Sequence, residues 1–228
     1  MYLTEQDRSK TTIFALDQST TRTGWAYISG DELVCSGVLD ATKIKGGVER
    51  RIQYVGKKLI WMLRMYRPSI VVYEGVQVRR NVRTAMVLAQ LQGAVLLAAG
   101  ISSKPTDVIA PSEWRRAMTF DQGRNYTETD LKAQAINYVF NEFGMKVGAD
   151  EAEAICIGVA YLRKLTSGEI VLKKPQRSKA EETVDSAAVD NEVATVGDEE
   201  EVSCEKPVGT SLSYIQRGSK KALRKKAK

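Results

Sequence analysis

Three short apolar segments follow one another closely near the start of the chain, and this spacing limits the folds that it can adopt. The segments cover residues 11–17, 23–29 and 32–39, and small or turn-forming residues separate them. Strands joined by such short turns pair in antiparallel order, because a parallel connection needs a dozen or more residues. The sequence therefore predicts an antiparallel three-stranded meander.

Beyond the meander, helical and strand-like segments alternate. Apolar residues recur at three- and four-residue steps over residues 47–66, which predicts a helix that ends before Pro68. Further short strands are predicted at residues 69–75 and 106–110, and further helices at 82–99, 111–118, 127–143 and 149–165. We expect an α/β fold in which helices flank a mixed five-stranded sheet with three antiparallel and two parallel strands.

The composition of the chain changes after Leu165. Residues 166–228 lack apolar periodicity and are acidic first and basic at the end. Such segments bury too little apolar surface to fold by themselves. We therefore predict one folded domain at residues 1–165 and a largely disordered tail at residues 166–228.

Several classes of protein are disfavoured by composition. The chain has no histidine, which excludes a histidine base and histidine metal ligands. Its three cysteines are far apart, which is typical of reduced thiols in a cytoplasmic protein and not of a zinc site. No long apolar run is evident, so no membrane span is expected. The net charge of +6 is compatible with a nucleic-acid partner.

Acidic residues stand at the ends of three predicted elements. Asp17 ends the first strand, Glu74 ends the fourth, and Asp150 and Glu153 lie three residues apart at the start of the last helix. Asp17 alone could be a turn or cap residue, and Asp150 and Glu153 could be favourable charges at a helix N-terminus. Glu74 is harder to explain as a solvated charge. Four carboxylates in one place, however, repel one another unless a cation neutralises them. Together they predict a site for divalent cations, with oxygen ligands that suit Mg²⁺ or Mn²⁺.

The segments that carry these acids resemble the three motifs of the RuvC-type Holliday junction resolvases, which belong to the RNase H-like superfamily. The segments are "ALDQSTTRTGWAYI", "VVYEGVQVRRNVRTAMVLAQLQGAVLLAA" and "ADEAEAICIGVA", and the resemblance covers residues 12–163. It implies a homodimeric endonuclease that cuts four-way DNA junctions with Mg²⁺, for which Mn²⁺ substitutes, at two ions per site. Asp17, Glu74, Asp150 and Glu153 fall on the four metal-binding carboxylates, and Lys132 on a basic catalytic position.

The chain departs from the family pattern at two positions. Glu153 stands where the family often has aspartate, and Gln77 stands where bacterial members often have an aromatic wedge. The second departure leaves open how the junction centre is opened. These differences and the tail suit a phage-type member, and no helicase partner follows from the sequence.

Arginines near the predicted acidic site are candidates for contact with DNA phosphates. Arg79, Arg80 and Arg83 follow Glu74 closely, and Arg115 and Arg116 form a second, weaker patch. Ordinary solvated charges are the alternative for these arginines and for Lys132. Trp114, beside the second patch, equally fits a role as a core anchor.

The predicted helix at residues 82–99 is apolar around most of its circumference, which favours burial on several sides. In the resembled family the corresponding helix contributes to a two-fold dimer interface. Burial within one subunit is the alternative.

Three other functions remain open at this point. The segment "ALDQSTT" also resembles the first phosphate loop of sugar kinases and actin-like ATPases, but no second such loop is found. A junction-binding protein that does not cut is a second possibility. A third is an RNase H-like nuclease that acts on flaps, forks or RNA–DNA hybrids.

Overall fold

The computed structural model describes residues 11–76 and 82–170. Within these ranges the chain forms five strands, β1 (Thr12–Asp17), β2 (Arg22–Ser29), β3 (Glu32–Asp40), β4 (Ile70–Glu74) and β5 (Thr106–Ile109). The helices of the same ranges are α1 (Gly47–Tyr66), α2 (Val82–Ile101), α3 (Pro111–Ala117), α4 (Glu128–Phe143) and α5 (Ala149–Ser167). The described residues belong to one compact unit, which ends at Val171. The tail predicted at residues 166–228 lies almost wholly outside the described residues and stays a prediction.

The five strands form one mixed sheet in the order β3-β2-β1-β4-β5. β1 pairs antiparallel with β2, and β2 pairs antiparallel with β3. β4 lies parallel to β1 and to β5. The predicted fold, with three antiparallel and two parallel strands, is therefore confirmed.

The central strand β1 is buried on both faces of the sheet. Phe14 and Leu16 point into a core shared with α1 and α2. On the other face Ala15 lies beneath α5, where a Cβ on Gly158 would come within 3.1 Å of the Ala15 Cβ. Burial on both sides explains why the sequence of β1 is apolar at successive positions and not at alternating ones.

Local sequence signals place the ends of the helices. Thr127 caps the N-terminus of α4 and shares a capping box with Asp130, and Gly144, with a left-handed φ of 70°, caps its C-terminus. α3 begins with Pro111, a residue that suits the first helical position. Such signals explain why the predicted helix boundaries agree closely with the structure.

Within the subunit, helix α2 leaves much of its apolar surface exposed. Only five of its side chains are buried, and Met86 and Leu97 are 62% and 64% exposed. Burial within one subunit was therefore the wrong alternative.

α2 is also long and apolar enough to cross a membrane, which corrects the expectation that no such segment exists, although core helices of soluble proteins satisfy the same criterion. Its buried side chains pack into the core with α1.

Candidate active site

Two parallel strands bring the first two acids to one edge of the sheet. Leu16 on β1 pairs with Tyr73 on β4 in parallel register. Asp17 and Glu74 are the next residues, and each is the last residue of its strand. The two carboxylates therefore lie next to each other because the sheet register dictates it.

A close approach between β2 and α5 brings the other two acids to the same edge. Asp17 pairs with Gly24 on β2, and a Cβ on Gly24 would collide with the carbonyl oxygen of Asp150. Glycine is therefore the residue that lets the first turn of α5 lie against the strand. Asp150 and Glu153 share one face of that turn.

The four acids interact electrostatically. Burial raises the pKa of Asp17 well above its ordinary value, and repulsion from Glu153, Glu74 and Asp150 raises it further. Burial also raises the pKa of Glu153, although Arg115 opposes this effect. Repulsion among the acids thus adds to the effect of burial on the pKa of Asp17, whereas at Glu153 burial dominates and nearby positive charges oppose it.

Glu74 and Glu153, here called the inner acids, are held by Trp114 and Arg115 on α3. The indole Nε1 of Trp114, which is fully buried, donates to Glu74 Oε1 at 2.7 Å. The guanidinium of Arg115 donates from Nη2 to Glu153 Oε1 at 3.3 Å and lies 4.0 Å from Glu74 Oε1. The side chain of Arg115 is only 13% exposed. It therefore lies against the acids, and its predicted contact with DNA stays a prediction.

Asp150, the outer acid, is held from the solvent side. Arg22 donates from Nε to Asp150 Oδ2 at 2.9 Å and from Nη1 to Asp40 Oδ2 at 3.1 Å. The side chain of Arg22 is 48% exposed and that of Asp150 is 29% exposed. The outer acid thus has a charged partner that solvent reaches.

Lys132 lies near the acids but bonds to its own helix. Its Nζ pairs with Glu128 Oε1 at 2.7 Å, four residues earlier on α4. Its positive charge also interacts with Glu153 and Asp150, and its pKa is raised, chiefly by the bond to Glu128. The predicted catalytic role of Lys132 is compatible with this position and stays a prediction.

Of the other predicted DNA contacts, the structure describes two. Arg83, in the first turn of α2, and Arg116, on α3, are exposed. Arg79 and Arg80 lie outside the described residues, as does Gln77. The DNA-binding assignment of all four arginines therefore stays a prediction.

Sequence reasoning missed Arg22 and two glutamines. The backbone carbonyl of Glu74 accepts bonds from Gln18 Nε2 at 2.6 Å and from Gln92 Nε2 at 3.0 Å, so both amides fix the end of β4. Because Gln18 directly follows Asp17, its position in the sequence could have indicated that it lies at the site. Arg22 contacts a residue 128 positions away, and nothing in the local sequence indicates this.

The side chains at this edge suit a divalent cation by their chemistry. Four carboxylates supply hard oxygen ligands, and a cation would offset the repulsion that, after burial, raises the pKa of Asp17. Within residues 11–76 and 82–170, however, no three acidic, histidine or cysteine side chains are already arranged as ligands of one ion. The bonds to Arg22 and Arg115 explain this, because they direct carboxylate oxygens towards guanidinium groups.

The four acids lie within a segment that matches a known family. Residues 13–161, well over half of the chain, match the family described as crossover junction endodeoxyribonuclease RuvC. The protein of that name from Dictyoglomus turgidum is 29% identical over 160 residues, which span 67% of this chain and 96% of the relative. The one from Saccharopolyspora erythraea is 30% identical over 157 residues, spanning 66% of this chain and 76% of the relative.

A solved structure has the same fold. RuvC of T. thermophilus in complex with a Holliday junction substrate superimposes with a TM-score of 0.57 at 18% identity, covering 69% of this chain and 96% of that one. The RuvC structure of Thermus thermophilus gives a TM-score of 0.56 at 19% identity, with coverages of 69% and 97%. The chain belongs to the RuvC family of crossover junction endodeoxyribonucleases.

Proposed function

We propose that the chain is a divalent-metal-dependent endonuclease that resolves four-way DNA junctions by paired nicks. The observation that carries this proposal is the meeting of four carboxylates, from β1, β4 and α5, at one edge of the sheet. Family membership supports junction cleavage. The T. thermophilus relative was solved with a Holliday junction substrate, which supports branched DNA as the substrate.

Asp17, Glu74, Asp150 and Glu153 are the residues proposed to hold the metal, most simply two Mg²⁺ ions, with Mn²⁺ as a substitute. Bound there, divalent ions would activate water for attack on a phosphodiester and stabilise the leaving oxygen. The 3′ oxygen leaves, so that the products are a 5′-phosphate and a nick that ligase can seal.

Basic residues of this chain have separate proposed tasks. Arg115 holds Glu153 at 3.3 Å and so orients one of the acids. Lys132, whose charge interacts with Glu153 and Asp150, offers a positive charge for the phosphate that is cut. The exposed residues Arg83 and Arg116, with Arg79 and Arg80, are proposed to bind phosphates of the junction arms. We place this activity in the cytoplasm.

Side-by-side cleavage of four-way, three-way, flap and linear DNA tests the proposed function. With Mg²⁺ the four-way junction should be cut fastest, by symmetrical nicks whose ends ligase can join. Ca²⁺ should support binding with little cleavage, because its looser coordination positions water poorly. Preferential cutting of flaps or RNA–DNA hybrids would instead favour a nuclease of another specificity. Nucleotide hydrolysis without incision would favour an ATPase.

A homodimer is proposed because α2 exposes several large apolar side chains. Its exposed large side chains are Val82, Met86, Leu96, Leu97 and Ile101, and such a surface on a soluble domain marks an interaction site. A two-fold partner would set two acidic sites on opposite DNA strands, as paired nicks require. Light scattering should give a mass near twice 25.3 kDa.

Substituting Leu96, one of the exposed side chains of α2, tests the proposed dimer surface. Leu96→Glu should give monomers that bind junctions but nick only one strand at a time. Lys57→Glu on the solvent side of α1 introduces the same side chain outside this surface and should leave the dimer intact. Monomers in the wild type, free and on DNA, would remove the basis for paired incision.

A further inference from the structure

Asp150, the outer acid of the site, already forms an ion pair with Arg22, and a metal ion would compete with this arginine. Arg22 reaches Asp150 Oδ2 with its Nε at 2.9 Å, which is a charge-assisted hydrogen bond of ordinary length. It occupies one of the two oxygens of a carboxylate to which the proposed function assigns a metal-binding role. A guanidinium at this distance also repels any cation that approaches Asp150.

A second set of contacts holds Arg22 in this position. Arg22 pairs with Asp40 across the β2–β3 ladder, and its Nη1 bonds to Asp40 Oδ2. The other carboxylate oxygen of Asp40 accepts bonds from the backbone and side chain of Thr42. Arg22 is therefore anchored at the sheet edge while its Nε remains directed at Asp150.

We propose that Arg22 is an internal counterion of Asp150 that a divalent cation must displace, so that Arg22 sets the metal affinity of the DNA-free chain. The inference rests on the proposed metal-dependent function. It explains why no described group of acids is arranged as a finished metal site although four acids meet there. Since Arg22 is 48% exposed, its guanidinium has room to leave Asp150 when a cation binds.

Calorimetric titration of the DNA-free protein with Mn²⁺ measures this competition without any cleavage step. Arg22→Gln should bind Mn²⁺ about fivefold more tightly than the wild type, because a partly exposed ion pair contributes at most about that much. Arg22→Lys keeps the charge but cannot bridge Asp40 and Asp150, and its affinity should lie between the two. Arg50→Gln makes the same change of charge on α1 and should leave the affinity unchanged.

A double-mutant cycle shows whether Arg22 acts through Asp150. Asp150→Asn should weaken Mn²⁺ binding, and in that background Arg22→Gln should not raise the Mn²⁺ affinity. The proposal is overturned by an unchanged or weaker affinity in Arg22→Gln, by an equal gain in Arg50→Gln, or by a gain that persists without Asp150. Thermal melts of each variant confirm that the titrated protein is folded.

Cleavage of a four-way junction by the wild type, run in parallel, separates the two levels of inference. If the wild type cuts with Mg²⁺ and Arg22→Gln titrates like the wild type, the counterion role fails and the proposed function stands. If no variant binds Mn²⁺ and the wild type does not cut, the metal-dependent function fails and the counterion role fails with it.

Discussion

The inner acids and the outer acid of the site carry the same charge but are held in different ways. The side chains of Glu153 and Glu74 are 8% and 24% exposed, and they contact Trp114 and Arg115, of which Trp114 is fully buried. Asp150 meets Arg22 at a surface that solvent reaches. Water screens an exposed pair and weakens it, whereas removing one partner of a buried pair leaves a costly charge behind. We therefore expect Trp114 and Arg115 to hold the inner acids in place, and Arg22 to leave Asp150 when a cation binds.

The largest effect is expected at Asp17, because its charge interacts with the inner acids and with the outer acid. Asp17→Asn keeps the shape of the side chain and removes one proposed metal ligand. Cleavage of a four-way junction should fall by about a thousandfold or more, since metal-assisted activation of water is lost. Junction binding, measured by gel shift, should persist or strengthen because the phosphates meet less negative charge. Undiminished cutting would overturn the assignment of all four acids.

A smaller but clear effect is expected on the inner side at Trp114. Trp114→Phe removes the indole donor from Glu74 and should lower the free energy of unfolding by about 1–3 kcal/mol. It should also slow cleavage, because Glu74 loses the bond that orients Oε1. Denaturant melts and junction cleavage measure the two effects.

Trp25→Phe is the matched control for Trp114→Phe. Trp25 is also buried, but it stacks on Phe14 and makes its contacts in the core below the sheet. This variant should lose stability while its folded fraction cuts at the rate of the wild type. Equal slowing in both variants would contradict a specific role for the bond between Trp114 and Glu74.

The pH dependence of stability should have opposite signs for the acids of the site and for Asp40. Asp17 and Glu153 have raised pKa values in the folded chain, so they bind protons more tightly there than in the unfolded chain. Their stabilising contribution is complete below the ordinary carboxyl pKa and is lost as the pH rises through the raised values. The metal-free protein should therefore melt at a lower temperature at pH 8 than at pH 5.

Two further melts in a chelator sharpen this prediction. Asp17→Asn should reduce the difference in melting temperature between pH 5 and pH 8. The hydrogen bonds from Thr42 lower the pKa of Asp40, so its contribution is lost only as the pH falls, and Asp40→Asn should leave the difference unchanged. A wild type that melts at the same temperature at both pH values would argue against crowding of the acids.

The smallest effect is expected on the outer side at Asp40. Asp40→Asn weakens the anchor of Arg22, but an exposed ion pair contributes little, so cleavage at saturating Mg²⁺ should change by about twofold or less. The melting temperature should stay close to that of the wild type. A loss comparable to that of Trp114→Phe would erase the distinction between the inner and outer sides.

The sequence predicted the elements and the meeting of the acids because local patterns specify both. The strand ends at Asp17 and Glu74 were sufficient for those two acids, since a parallel register aligns such ends. The meeting of Asp150 and Glu153 with them was implied by the family resemblance, because it depends on the approach of α5 to β2 at Gly24. The bond between Arg22 and Asp150 was not predictable, because it joins residues 128 positions apart through a tertiary contact. The dimer interface that the resemblance implied for α2 stays a prediction, and composition alone could not separate it from burial in one subunit, since a core helix and an interface helix can both be apolar on all sides.

The contact between Gly24 and the backbone of Asp150 has a consequence for how this protein can evolve. The edge that carries the acids is set by sheet register and by one backbone-to-backbone contact, and not by the fit of large side chains. Side chains deep in the core, such as Leu59 of α1, should therefore tolerate changes in size at a cost to stability without moving the acids. Position 24 should have no such tolerance, because any Cβ there would collide with the backbone of Asp150, so we expect a substitution of this one glycine to disturb the acids more than most changes in the apolar core.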